Sequence, residues 1–314
     1  MGGVGVIVNR RAGKKTLLGG TTAQRLGALL GPADRLWQTD DPEQLPGVME
    51  QFLQQGLGVL AIGGGDGSNH LVLSALLAAC PPERLPRVAF LCGGTHNAHA
   101  ASLGIRGRPV GLLRRLLQRL DSGRYLPVLR RIILRVEDGR RVHHGFSMAT
   151  GFMYRFYREL LDHGGDSPLR VLGRLLGWSG DLLFGGGQVE QLFAGEPLHL
   201  SISGRALRWP EANGLACSSM EALGMGFRPF PLAGRYQDRF QVAASRVRAR
   251  ELLRIIGAFW KGREVHHPDI VVTTADDVLL QAEQPQGYVL DGELYQGGRR
   301  LHVSAGPRLA LVRL

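Results

Sequence analysis

Leu60-Ala61-Ile62-Gly63-Gly64-Gly65-Asp66-Gly67-Ser68-Asn69-His70-Leu71 carries an apolar, β-prone run straight into three glycines, an acid and a fourth glycine. Val59 to Ile62 has the character of a buried strand, and Leu71 to Ala79 reads as the buried helix that follows. A glycine turn between strand and helix lets backbone N–H groups approach an anion, and the helix start adds partial positive charge. Asp66 in such a turn would repel phosphates unless a cation or ordered water lies between, which suggests a magnesium nucleotide. A plain strand-to-helix turn with Ser68 as N-cap would account for Ser68 and one glycine, but not for three glycines followed by Asp-Gly. Neither the Rossmann spacing G-x-G-x-x-G nor the Walker spacing G-x-x-x-x-G-K-[ST] is present.

Upstream, Gly5 to Val8 predicts a short strand that ends at Asn9 and a basic loop, Arg10 to Lys15, containing Gly13. An Asn at the end of a first parallel strand can hold a nucleotide edge or phosphate, or can simply make an Asx turn. A helix over Thr22 to Leu30, a strand over Arg35 to Gln38 and a helix over Pro42 to Gln54 lead to the glycine turn. Downstream, Val88 to Leu91 predicts another buried strand, ending in Cys92-Gly93-Gly94-Thr95-His96-Asn97, with helices over Ala98 to Leu103 and Val110 to Leu120. Strand and helix alternating at this spacing imply an open parallel sheet with helices on both faces, spanning residues 1–123.

From about Tyr125 the pattern changes. Pro127 to Val136, Val142 to Ala149, Pro197 to Ile202 and Leu215 to Ser219 read as strands, and Asp138-Gly139 as a hairpin turn. Residues 124–314 therefore form an antiparallel β-sandwich or barrel-like domain, whose last strands, Arg300 to Ser304 and Leu309 to Val312, could return to the first domain. Leu169 to Phe184 and Val247 to Trp260 are amphipathic, the second with a stripe of Leu252, Ile255, Ile256 and Phe259. Either they pack on their own sheet, which is the expected outcome, or they lie at a lipid boundary with Trp178 or Trp260 as anchor.

The formal charge of +11 favours phosphate-rich partners, although nearly all of it is arginine, a bias that genome composition also produces. Cys80, Cys92 and Cys217 are too few and scattered for a disulfide framework or an all-cysteine zinc site, so a reduced cytoplasm is expected. His96 and His99 form H-x-x-H without further ligands in reach of the sequence pattern. The N-terminus enters a strand directly, without a signal peptide, and no apolar run reaches the roughly 18 residues of a membrane span.

The string Gly64-Gly65-Asp66-Gly67-Ser68 resembles the G-G-D-G-T signature shared by diacylglycerol, sphingosine, ceramide and NAD kinases. Asn9 with Gly13 resembles the V-N-P-x-S-G-x-G element of the lipid kinases, Gly94, Thr95 and Asn97 resemble G-T-x-N-D, and Asp291-Gly292-Glu293 resembles the late D-G-E motif. In that order, over almost the whole chain, the four elements resemble the bacterial diacylglycerol-kinase-like lipid kinases. The resemblance implies transfer of the γ-phosphoryl group of ATP, with Mg2+, to a lipid hydroxyl. Gly64, Gly65, Gly67 and Ser68 would cradle phosphates, while Asp66 would organise the metal through the nucleotide. Asn9, Gly13, Gly94, Thr95 and Asn97 would fix the nucleotide. Asp291 would be the general base, and Glu293 would orient it or help bind metal. The excess arginine and the two amphipathic stretches predict a peripheral, salt-sensitive association with the anionic inner face of the membrane, and no nucleic acid is expected. A homodimer is compatible with the sequence, which does not fix oligomeric state. Departures are Ala98 in place of the family's Asp, Asn69, His70 and Leu71 where an acid is expected, and Asp238 as the single acid left at a structural magnesium position. An NAD kinase would carry an Asn-Glu pair, which this chain lacks, and a catalytically silent binding protein would not need both Asp66 and Asp291.

Overall fold

The computed structural model describes residues 2–9, 21–39, 41–94, 97–162, 177, 187–223 and 227–314. Arg10 to Lys15 with Gly13, Thr95, His96 and nearly all of the amphipathic stretch from Leu169 to Phe184, including Trp178, lie outside these. The chain divides into two compact units: residues 1–133 with 222–226 and 306–314, and residues 134–221 with 227–305.

In the first unit, β1 (Val4–Asn9), α1 (Thr22–Gly27), β2 (Arg35–Thr39), α2 (Leu45–Gln54), β3 (Val59–Gly63), α3 (Asp66–Ala79) and β4 (Arg87–Phe90) alternate. α4 (Ala98–Ser102) and α5 (Pro109–Asp121) follow, and the last residues of the chain's final strand pair with β4 through Ala310 and Leu311. All these pairings are parallel, in the order β2-β1-β3-β4. The path steps one way from β1 to β2 and the other way from β2 through β3 to β4. Right-handed crossovers then place α1 on one face and α2 and α3 on the other. Consistently, α2 packs with α3 and α1 with α5. The central strands are apolar, as a doubly covered sheet requires: β3 is buried along its whole length, while β2 at the edge is partly exposed. Gly5 is dictated by packing, since a Cβ there would fall 2.5 Å from the Phe52 ring of α2.

In the second unit, β5 (Val128–Glu137) begins in the first unit and pairs with β6 (Val142–Gly145) across the Asp138-Gly139 turn, where Gly139 has φ +85°. β7 (Ser147–Gly151), α6 (Phe152–Asp162), α7 (Gln188–Leu192) and β8 (Glu196–Ile202) follow, then β9 (Arg205–Ala206), β10 (Glu211–Ala212), β11 (Gly214–Ser218) and β12 (Phe240–Ser245). α8 (Ala249–Trp260), β13 (Ile270–Ala275), β14 (Asp277–Ala282), β15 (Gly287–Leu290), β16 (Glu293–Gln296) and β17 (Arg300–Val312) complete it. One antiparallel sheet runs β13-β12-β11-β7-β15-β16; in the other, β8 lies between β10 and β14, and β14 pairs with Arg300–Ser304 of β17. Thr150 and Leu215 of one sheet and Leu198, Leu200 and Leu280 of the other line a common interior cleft, the mark of a sandwich. The N-terminal parallel sheet and the antiparallel second domain expected from the sequence are both present.

The amphipathic stripe of α8 turns inward. Leu252, Ile255, Ala258 and Phe259 pack on Val247, Val265 and Ile270, while Ile256 and Trp260 stay exposed. Two expected strands at the C-terminus are one continuous strand, β17. The glycine-turn helix begins at Asp66, five residues before the predicted start, so Gly65 and not Ser68 is its N-cap. Polar residues at 66–70 obscured a first turn whose backbone is helical all the same.

Candidate nucleotide site and candidate acceptor base

Strand order β2-β1-β3 reverses direction at the gap between β1 and β3, and open α/β sheets bind ligands beyond the carboxyl ends of the strands at such a point. Asn9 ends β1, Gly63 ends β3, and the Asn9 side-chain amide donates to Ser68 Oγ at 3.1 Å, closing the gap. The next strand, β4, delivers Gly93 and Gly94 beside the first glycine turn. A Cβ on Gly94 would lie 2.3 Å from Gly65 Cα, and one on Gly93 would lie 3.0 Å from Gly64 N. Among the described residues of these two turns only Cys92 and Asn97 have positive φ, so the glycines serve close approach of backbone to backbone rather than left-handed geometry.

Gly65 caps α3 without a side-chain hydrogen bond. The first N–H groups of a helix have no intrahelical acceptor, so this end offers donors and partial positive charge to an anion. Three residues further in, the Asn69 side-chain oxygen is buried and has no hydrogen-bond partner among the described residues. That donor-free acceptor sits where the family pattern places an acid. The backbone N–H donors at the start of α3 fit phosphates, whereas the Asn69 oxygen, an acceptor, fits a donor or a cation.

Asp66 opens α3 but serves α4. Its Oδ2 accepts from Ala98 N at 2.8 Å, its Oδ1 accepts from His99 N at 3.0 Å, and His99 Nδ1 lies 3.4 Å from Oδ1. Asn97, left-handed with φ +48°, folds its own side chain back: Oδ1 accepts from Gly94 N and Nδ2 donates to Gly94 O. The carboxylate of Asp66 thus supplies the cap that Asn97 does not. Each oxygen keeps a further lone pair for a metal-bound water. His99 is buried against the Phe90 ring, and its role was hidden in the sequence because its partner is 33 residues away. Burial, then the Asp66 charge, pushes the Cys92 thiol up to about 11, which keeps it protonated.

In the second unit Asp291 and Gly292 form the two-residue turn between β15 and β16, both with positive φ (+49° and +90°), the conformation that favours Asp-Gly in hairpins. Turn geometry explains the dipeptide but not where the carboxylate goes. It is buried, and its oxygens accept from Phe146 N (2.9 Å to Oδ2) and Ser147 N (2.9 Å to Oδ1), while Asp291 N donates to Ser147 O. A Cβ on Gly145 would come within 2.8 Å of Asp291 Oδ2, so that glycine makes room for it. Glu293 is exposed, yet the protein around it partly desolvates its carboxyl and pushes its pKa up. Tyr295, two residues on, is pushed up to about 12 by burial and by the charges of Glu293 and Asp291. Its ring lies 4.3 Å from that of His143, which faces the buried Asp138 carboxylate together with the Tyr288 hydroxyl. Neither His143 nor Tyr295 carries a sequence signal beyond its residue type.

Asp238 is exposed in a turn before β12, and among the described residues no group of three or more His, Cys, Asp or Glu could hold a metal ion. No described helix is long and apolar enough to cross a membrane.

The diacylglycerol kinase catalytic domain family matches residues 3–124. Among curated proteins, none matches the chain by sequence. Among solved structures, a diacylglycerol kinase from Bacillus anthracis str. Sterne is similar over 99% of this chain and 96% of its own, with TM-score 0.65 at 16% identity. An NAD kinase from Archaeoglobus fulgidus, solved in complex with ATP, is similar over 98% and 92%, with TM-score 0.50 at 12% identity. Yeast NADH kinase is similar over 100% and 84%, with TM-score 0.51 at 10% identity. The fold is the one shared by diacylglycerol-kinase-like and NAD kinase proteins, and the first 124 residues carry the match to the diacylglycerol kinase catalytic domain family.

Proposed function

We propose that this protein is an ATP-dependent lipid kinase, transferring the γ-phosphoryl group to a hydroxyl of a lipid such as a diacylglycerol, ceramide or sphingosine, at the anionic inner face of the membrane. The observation that carries the reading is the pair of glycine turns packed backbone to backbone at the strand-order reversal of a diacylglycerol-kinase-type domain. Phosphoryl transfer asks for positioning and charge neutralisation more than covalent help. The uncapped start of α3 would hold phosphates, with Asn9 and Ser68 at their edge. Asp66 would orient a water of a nucleotide-borne Mg2+, an ion that would supply charge neutralisation at the transferred group. Asp291, fixed by two backbone donors, would accept the hydroxyl proton, and the raised Glu293 carboxyl would bind or orient the same hydroxyl.

The test is ATP turnover with Mg2+ against a panel of diacylglycerol, ceramide, sphingosine and NAD. Phosphorylation of one of the lipids, lost in Asp291→Asn, is the expected result. Turnover on NAD alone would move the protein to the NAD kinases, and no turnover on any acceptor would favour a silent binding protein.

A further inference from the structure

The formal charge is divided very unevenly. Residues of the first unit carry 18 Lys and Arg against 8 Asp and Glu, whereas the second carries 20 against 19. Between Gly104 and Val136 there are nine arginines and one acid, Asp121. α5 lies in this segment and buries Leu112, Leu113 and Leu116, leaving the opposite side to solvent. Arg108 at the N-cap, Arg115 and Arg119 are spaced seven and four residues apart, which aligns them as one stripe along the edge of the buried face, with Leu112 in the same line. Arg115 donates to the Arg106 carbonyl and Arg119 to the Arg313 carbonyl, so those two residues flank the stripe, and Arg124 N bonds to Arg119 O at its end. Among the described residues none of these six arginines has an ion pair; the described arginine pairs lie elsewhere. Next to Arg124 stands Tyr125, 82% exposed, the most exposed large hydrophobic described.

Unpaired cations held side by side repel one another, and a folded domain tolerates them best where an extended anionic surface compensates. We infer that the α5 stripe, with Tyr125 at its end, docks the first domain on an anionic lipid bilayer. A planar surface suits a stripe of arginines on one helix, and an amphipathic ring beside them suits the headgroup level. Each arginine near such a surface strengthens binding several-fold, within a screening length of about 10 Å at 0.1 M salt. The inference rests on the lipid-kinase reading for its purpose, since the acceptor lies in the bilayer, but its test does not.

The full chain is sedimented with vesicles of neutral lipid and of neutral lipid with 30% anionic lipid (roughly the charge of a cytoplasmic leaflet), without ATP or acceptor. The variant Arg108→Gln, Arg115→Gln, Arg124→Gln should lose about 100-fold of its partition to anionic vesicles at low salt. Tyr125→Ala should lose on the order of threefold, and high salt should leave that loss in place. A matched variant on α8 and just beyond its end, Arg250→Gln with Arg254→Gln and Arg263→Gln, should keep binding within about threefold. Turnover on a short-chain acceptor in neutral detergent micelles reports phosphoryl transfer separately, and the α5 variant should keep it. Wild-type vesicle binding by the α5 variant, an equal loss in the α8 variant, or a loss seen only on a DNA duplex with vesicle binding intact would overturn the assignment.

Discussion

Replacing Asp66 by Ala should destabilise the protein before it affects any ligand. The carboxylate is the acceptor for the N–H groups of Ala98 and His99 at the start of α4, and Asn97, the residue in the capping position, has committed both ends of its amide to Gly94. Losing an N-cap costs about 0.5–2 kcal/mol, and a hydrogen bond to a charged partner contributes about 1.5–3 kcal/mol. Two such bonds on a side chain only 16% exposed put Asp66→Ala at about 2–3 kcal/mol. Asp66→Asn keeps one oxygen but turns an amide donor toward the other N–H, and should cost about 1–2 kcal/mol. Urea unfolding is the assay: with a slope near 3 kcal/mol/M, the Ala variant's midpoint should fall by about 0.8 M with the slope unchanged. Calorimetric titration with Mg-ATP, on protein kept well below its midpoint, then reports the nucleotide role by itself. A midpoint within about 0.1 M of wild type would show that the two bonds hold nothing, and the capping argument would fail.

Asp291→Asn should lower turnover roughly 10²- to 10⁴-fold with the KM for ATP nearly unmoved. Because one of the Phe146 and Ser147 amides then faces a donor, stability should fall as well, by about 1–3 kcal/mol, so turnover must be measured per folded molecule; a normal value would remove Asp291 as the base. Gly94→Ala drives a Cβ onto Gly65 Cα and should cost about 1–3 kcal/mol, whereas Gly47→Ala, in open space on α2, should gain about 0.5–1 kcal/mol; equal effects in thermal melts would deny the loop contact. Burial alone would raise the Asp138 carboxyl, but the N–H groups of Arg141 and Arg140, the Tyr288 hydroxyl and His143 outweigh it and hold the pKa below the usual carboxylate range. A lowered folded pKa gives stability that is present above the unfolded value and lost as pH falls through the folded one. The gap between wild type and Asp138→Asn should therefore be widest near neutrality and close in acid, and a gap that widened in acid would contradict this.

The parts of the fold readable from the residues were those that local chemistry controls. Continuous apolar runs at Val59–Ile62 and Val88–Leu91 announced buried parallel strands, and Asp138-Gly139 announced a hairpin. Chain ends of elements were harder, because the first turn of α3 consists of Asp66, Gly67, Ser68 and Asn69, residues whose own propensities favour turns and caps. What tertiary contact decides was not legible at all. The glycines of the two turns read in sequence as room for an anion, yet their φ values are ordinary and part of their smallness is spent on each other. The stripe of α8 was open to two readings because periodicity says that a helix has an apolar side, never what covers it.

Asp66 and Asp291 share a design that bears on how each of them works. Each acid is held by two backbone N–H groups from a segment distant in sequence: the start of α4 for one, the junction of β6 and β7 for the other. Backbone amides are fixed by the sheet and helix they belong to, so a carboxylate bonded to a pair of them loses its rotamer freedom when the chain folds, not when substrate arrives. Catalysis by positioning benefits from that order of events, because groups already oriented need no reorganisation as charge moves. The same bonds explain why two acids that look equivalent in the sequence cannot be treated as free side chains. Removing either one unsatisfies N–H groups first and alters chemistry second. A residue whose loss costs only stability would be a cap, and one whose loss costs turnover far beyond the folded fraction would be catalytic. For both residues the structure requires that the first effect be subtracted before the second is read.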